Sequence, residues 1–229
     1  MILEDVFTLL AHGELQNLSM AKGGGIIEEK QPVIVTHIND ALMRLYSRFV
    51  IKENELLLEC YENVTQYHLK IEHTKSQGDL LQYIIDTEEN PFIEDVIKVL
   101  GVTSNYRGPA AINDPDVCWN VRTPQPQMVQ VPSPIAGESL SVTYQASHPV
   151  LHVDDMCEAE VGLPPVLMKA LTSYVAGKIY GDMNGQENMV KSQEQMSVFE
   201  GICAEAIDRD LVNTSSSSTN TKFHQRGWV

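Results

Sequence analysis

Residues whose types and spacing could do chemistry are concentrated between positions 148 and 157. His148 and His152 stand four apart, with Asp154, Asp155 and Cys157 close behind. On one helix that set would be a credible metal cluster, and His148, His152 and Asp154 could serve a small metal-dependent hydrolase. Pro149 lies inside the spacing, however, and the stretch leads out of a strand towards Pro164. It reads as a solvated acidic linker, whose carboxylates favour the positive end of the following helix by a few tenths up to about 1 kcal/mol each. His68 and His73 flank a strand and are expected at the surface or half-buried. Lys22 with Gly23, Gly24 and Gly25 lacks the order GxxxxGK[ST] of a phosphate-binding loop, so a flexible connector is expected there. No Ser or Cys sits in a nucleophile elbow, and no Gly-rich loop joins a strand to a helix. Met183, Met189 and Met196 read as core filler. The sequence calls for no catalytic residue, no metal and no cofactor.

Composition narrows the class. A chain of 229 residues, 43% hydrophobic, can bury a real core. No run approaches the eighteen or so apolar residues of a membrane span. The opening MILEDVFTLL carries acids where an export signal would carry lysines. Cys60, Cys118, Cys157 and Cys203 are scattered without a CxxC pair, which fits reduced thiols. The net charge is −15 with only 16 basic residues, which argues against a surface that grips phosphates.

The elements that must position these residues are clearest from Leu163 to Asp208. Leu167, Ala170, Leu171, Tyr174, Val175 and Ile179 form one apolar stripe at helical period, behind Pro164 and Pro165 and ahead of a stop at Gly181. Asn184 and Glu187 have capping-box spacing and restart a helix that carries Met189, Met196, Phe199, Cys203 and Ala206 on one side. So short a turn implies an antiparallel pair. Near the other end, Leu3, Val6, Phe7 and Leu10 predict a helix that ends near Gly13. A second helix is predicted from about Pro32 to Phe49, with Ile38, Leu42, Leu45 and Phe49 as its buried edge.

Between these helices the period changes to that of strands. Residues 55–62 and 65–71, broken at Asn63, read as a hairpin. Residues 92–102 read as a buried strand, with further strands on Val117, Trp119 and Val121 and on residues 128–131. Leu140, Val142, Tyr144 and Ala146 alternate most cleanly. Residues 80–85 fit strand and helix alike. The expected architecture is α+β. Residues 1–50 and 160–209 form an antiparallel helical bundle of two N-terminal and two C-terminal helices, packed through Leu42, Leu45, Leu167, Leu171, Tyr174 and Phe199. Residues 51–159 form an inserted antiparallel β module, and residues 210–229 an extended C-terminal tail. In that tail a Ser/Thr run precedes Lys222, Phe223, Arg226 and Trp228, and these aromatic and basic residues are expected to anchor a partner.

A family resemblance rests on the order of short pieces. Ile38-Asn39-Asp40-Ala41 with Arg44 lies on the second helix, and Gln66-Tyr67-His68-Leu69 closes the expected hairpin. Val129-Gln130-Val131-Pro132-Ser133-Pro134 leads to Leu140-Ser141-Val142-Thr143-Tyr144, and the helical pair carries Ala170, Tyr174, Gly181 and Phe199. Over residues 1–209 this order resembles the head-to-tail adaptor (connector) proteins of tailed bacteriophages, especially the short-tailed kind. The resemblance implies a structural virion protein without enzymatic activity, made in the host cytoplasm and built into the head–tail junction, away from any membrane. It implies a homo-oligomeric ring, commonly of twelve copies (a dodecamer), beneath the portal protein. Such a ring lengthens the DNA channel and docks tail nozzle or tail fibre proteins, and genomic DNA passes through it without specific binding. It also implies that the tail residues Lys222, Phe223, Arg226 and Trp228 reach the portal or a neighbouring subunit. The stretch from His73 to Asn90 has no counterpart in the resemblance. The alternatives are another neck or tail component, such as a nozzle or tail-completion protein, and the metal-dependent hydrolase.

Overall fold

The computed structural model describes residues 1–16, 18–22 and 25–212. Within them the chain is α+β, with four α-helices and a five-stranded antiparallel sheet. The first helix, α1 (Leu3–His12), opens where the Asp5 carboxylate accepts the Ile2 N–H at 3.1 Å and closes where the Gly13 N–H donates to the Leu9 carbonyl. Of the stretch predicted to be a flexible connector, Gly23 and Gly24 lie outside the described residues. Its flanks, β1 (Ala21–Lys22) and β2 (Gly25–Ile26), pair antiparallel. Helix α2 (Gln31–Arg48) has Pro32 in its first turn, where the missing N–H costs nothing, and buries Ile34, Ile38, Leu42 and Leu45.

The middle of the chain supplies β3 (Glu53–Glu59), β4 (Gln66–His68), β5 (Ile84–Ile85), β6 (Val96–Ser104), β7 (Gly108–Pro109), β8 (Ala111–Ile112), β9 (Asn120–Val121), β10 (Met128–Gln130) and β11 (Ser139–Ala146). The main sheet runs β5-β3-β11-β6-β7, with β11 at its centre. Leu140, Val142, Tyr144 and Ala146 of β11 are all buried, as their alternation predicts. The predicted hairpin of β3 with β4 does not form. Asn63 does adopt the left-handed conformation of a turn (φ 70°), but the strands on either side go to different partners. β3 pairs with β11 and β5, whereas β4 pairs with β10. Nor is every pairing antiparallel, since β8 and β9 run parallel. The strand predicted over 92–102 is shifted to Val96–Ser104, the one on 117–121 shrinks to Asn120–Val121, and within 80–85 only Ile84 and Ile85 are strand.

The last two helices are α3 (Pro165–Asp182) and α4 (Gln186–Asp208). Helix α3 is not the one-stripe amphipathic helix predicted. Twelve of its eighteen residues are buried, from Leu167 to Tyr180, because neighbours cover it on several sides. Gly181 does not stop it, and the helix runs on to Asp182. The predicted capping box is also replaced. Gly185 takes φ 113°, which favours glycine, and becomes the residue before α4, so Asn184 makes no side-chain cap. Of α4 only Phe199, Cys203 and Ala206 are buried. Met196 is half-buried against the helical core, on the packed side as expected, whereas Met189 is exposed, which corrects the expectation for that residue.

Two cores result. Side chains of all four helices, with Leu151, Val161 and Val212, make one cluster. Residues of β3, β4, β5, β6, β10 and β11 with Phe92 make the other. Gln145 of β11 joins them, donating from Nε2 to the carbonyls of Tyr46 and Phe49, the latter at 3.0 Å.

Candidate functional site

The tail residues Lys222, Phe223, Arg226 and Trp228 lie outside the described residues. Their point of departure does not, because Val212 is buried in the helical core. The direction of departure follows from polar contacts between helices. His37–Asp182 at 3.1 Å and Lys178–Asp40 at 3.4 Å align α2 antiparallel to α3, while Arg48–Glu200 at 2.6 Å ties the end of α2 to α4. Helices α2 and α4 therefore run the same way. α4 then continues past Glu200 by about 12 Å, at 1.5 Å per residue, towards the end of the helices that carries the sheet.

All six predicted packing residues, Leu42, Leu45, Leu167, Leu171, Tyr174 and Phe199, are buried. Tyr174 is where three helices meet. Its hydroxyl donates to Asp40 Oδ2 at 2.6 Å, its ring meets Phe199 edge-on at 5.1 Å, and the Arg44 guanidinium lies 5.2 Å from its centroid. Burial alone would raise the Asp40 carboxyl, but the Tyr174 hydroxyl, Lys178 and Arg44 outweigh it and hold the group below its ordinary value. Burial and the Asp40 charge push the Tyr174 hydroxyl up. The arrangement clamps α2 to α3 and α4.

The histidines do not assemble into a ligand set. His148 Nδ1 lies 2.6 Å from the Pro149 carbonyl, and its Nε2 accepts the Gly162 N–H at 3.2 Å, so the ring serves backbone groups. It also meets Tyr46 edge-on at 5.4 Å. His152 is exposed, and Asp154 and Asp155 sit in a single 3-10 turn. Among the described residues no group of three or more His, Cys, Asp or Glu side chains could hold a metal ion. His73 instead stacks on Tyr83 at 4.5 Å, and Tyr83 donates its hydroxyl to the His68 carbonyl at 2.9 Å. Burial pushes the Tyr83 hydroxyl up to about 12. Cys60 and Cys203 are buried free thiols, Cys118 and Cys157 exposed ones.

Sequence reasoning missed two features. The first is a buried ion pair, in which Arg107 grips Glu138 through Nε at 2.8 Å and through Nη2, while Ser104 donates to the same carboxylate. The Arg107 guanidinium lies 3.5 Å from the Trp119 ring centroid, and Trp119 Nε1 donates to the Gly108 carbonyl at 3.0 Å. Burial would raise Glu138, yet the Arg107 and Ser104 hydrogen bonds keep it below the usual carboxylate range. Partners 31 residues apart carry no local spacing signal. The second is a groove of about 600 Å³ beside the outer edge of β3, lined by Asn54, Leu56, Ile84, Phe92, Ile93 and Tyr144 among others. Its inner wall is fixed by Asp95, which accepts Asn54 Nδ2 at 3.0 Å and the Tyr144 hydroxyl at 2.8 Å. Its rim is fixed by Asp86, which accepts the N–H groups of Ser76 and Phe92.

Neither feature presents a nucleophile paired with a base. Both stiffen a surface, and exposed apolar side chains mark further surface on α4, namely Met189, Val190, Val198 and Ile207. No helix among the described residues is long and apolar enough to cross a membrane. No protein-family model matches the chain, and no curated protein sequence matches it.

Proposed function

We propose that the chain is a structural virion protein, a head-to-tail adaptor whose copies form a ring beneath the portal, extend the DNA channel and dock the tail. The observation that carries this reading is the order of its elements. Helices from the two ends of the sequence share one core, while the intervening stretch builds a second core around a sheet. That supports the finer architecture of an antiparallel helical bundle, residues 1–50 and 160–209, interrupted by a β domain, 51–159, and followed by a tail, 210–229.

An adaptor needs surfaces for neighbours more than it needs a reaction centre. Helix α4 fits such a role, since its 23 residues bury only Phe199, Cys203 and Ala206, with Met196 and Ile202 half-buried beside them, and present Met189, Val190, Val198 and Ile207 outward. The acidic balance of −15 suits a channel through which DNA must slide, because each lysine–phosphate contact would add salt-dependent affinity and slow passage. In this reading Lys222, Phe223, Arg226 and Trp228 attach the subunit to the portal. Trp228 offers the largest apolar area there, and Arg226 can pair bidentately with a carboxylate.

The test is a pull-down on assembled portal, comparing the full chain, a chain lacking residues 213–229 and Trp228→Ala. The full chain is retained, the truncated chain is lost, and Trp228→Ala is weakened. Equal retention of all three contradicts portal attachment through the tail.

A further inference from the structure

We propose that His148 is a pH-sensitive latch on the segment 158–163. Neutral, it holds the Gly162 N–H. Protonated, it turns to the Glu160 carbonyl and releases Gly162, which loosens the approach to α3 and the N-terminal residues paired with it. Three observations carry this.

The first is the wiring of the ring. Nδ1 lies 2.6 Å from the Pro149 carbonyl oxygen, so it must carry a proton. Nε2 accepts the Gly162 N–H at 3.2 Å, so it must be bare. The imidazole is therefore neutral, with its proton on Nδ1. Yet the same Nε2 also lies 3.2 Å from the Glu160 carbonyl oxygen, an acceptor that a bare nitrogen cannot satisfy. One nitrogen thus faces a donor and an acceptor at equal distance. A proton on Nε2 reverses which of the two it can bond. The imidazolium donates at both nitrogens, to Pro149 and to Glu160, and has no lone pair left for Gly162. The contact has two positions, and the charge on the ring selects between them.

The second is what the segment holds. Tyr46 of α2 donates its hydroxyl to the Gly162 carbonyl and meets the His148 ring edge-on at 5.4 Å. The Val161 N–H donates to the Met1 carbonyl at 2.8 Å, the Leu3 N–H donates to the Ala159 carbonyl at 3.0 Å, and Ile2 bridges Glu160. Downstream the chain enters α3 at Pro165. Upstream, Asn39 clamps Leu151 through two hydrogen bonds of 3.0 Å, one to its carbonyl and one from its N–H. That end of the linker stays fixed whatever the ring does, so a change at His148 is felt at Gly162 and at the N-terminal pairing.

The third is the state of the ionisable groups around it. Tyr46 faces the ring from α2, and burial pushes its hydroxyl up, so it stays protonated wherever a histidine titrates. Asp95 accepts the neighbouring Ser147 N–H through its carbonyl at 2.7 Å, and its carboxylate accepts Asn54 and Tyr144. Lys52 touches the same strand end through its carbonyl, which accepts the Ala146 N–H at 2.9 Å. From α1, Asp5 accepts the Ile2 N–H at 3.1 Å, and the Glu4 N–H donates to the Met156 carbonyl at 3.3 Å. Glu160 meets the ring through its carbonyl. The group whose charge change alters a contact to Gly162 is His148 itself.

This inference does not rest on the adaptor reading, and its test uses the full chain. NMR of the histidine ring nitrogens is recorded from about pH 8 to about pH 5, the range in which histidine changes charge. At the upper end the His148 ring is neutral with its proton on Nδ1, and the Gly162 amide resonance titrates with the same midpoint as the ring. Hydrogen exchange at the Gly162 amide, corrected for its intrinsic pH dependence, becomes about tenfold faster at the lower end relative to the Leu151 amide. His148→Gln removes the pH response at Gly162, whereas His152→Gln keeps it. A neutral His148 ring protonated on Nε2, a Gly162 amide indifferent to the titration of the ring, or an unchanged pH response in His148→Gln each overturns the proposal.

Discussion

Arg107 and Glu138 show how much one pair can decide. Glu138 has no exposed side-chain surface, so its charge is tolerable only because Arg107 and Ser104 meet both carboxylate oxygens. Arg107→Ala should destabilise the protein by about 3–5 kcal/mol at neutral pH, since it leaves a buried charge uncompensated. The pH dependence has a definite sign. The folded-state carboxyl is held below its reference value of 4.5, so its contribution is complete above that value and is lost as pH falls through the lower folded value. The gap between Arg107→Ala and wild type, read by urea unfolding, should narrow as pH falls from 7, because burial without the arginine raises the variant's carboxyl and protonates it before the wild-type one. A gap that is constant from pH 7 to pH 3 would show that the pair is not what Arg107 contributes. Leu171 is the apolar counterpart. It is fully buried, and Leu171→Ala should cost about 2–5 kcal/mol in the same assay. A variant that melts like wild type would mean the site collapses around the missing atoms.

At the scale of elements, α3 and α4 approach closely at Gly177. A Cβ there would meet Met196 Cε at 3.1 Å and the Ser192 carbonyl oxygen at 3.3 Å, and Ser192 Oγ donates to the Gly177 carbonyl at 2.7 Å. Met196 is flexible enough to give way to one methyl, but the Ser192 backbone is not. Gly177→Val should therefore push the helices apart and destabilise by about 1–3 kcal/mol in thermal melts, while Gly201→Ala, which meets nothing within 4 Å, should be harmless. Unchanged stability of Gly177→Val would show that α4 is not seated against α3 there.

Elements whose signal is local were legible in the sequence. Helices α1 and α2 announce themselves by period, and β11 by four alternating apolar residues. What depends on distant partners was not. Asn63 marks a genuine turn, yet β3 finds β11 some 80 residues away and β4 finds β10, because pairing is settled by which faces can share a core. The start of α4 went to Gly185 because its left-handed backbone suits glycine better than an Asn cap. For the candidate site, the aromatic and basic residues of the tail were legible as a cluster. The open edge of β3 was not, since it exists only where β5 ends early at Ile85.

For the whole molecule, the balance of charge carries its own prediction. With −15 overall, purified protein should not retain duplex DNA at moderate salt in a filter-binding assay. Tight, salt-sensitive retention would count against a channel through which DNA slides. The central claim concerns place, and cryo-electron microscopy of the assembled particle tests it most directly. The adaptor reading predicts a ring of this chain between portal and tail, with its helical part and its sheet resolved in each subunit and the segment from Lys222 to Trp228 contacting the portal. Density for the chain at the distal end of the tail, or none in the particle, would contradict it.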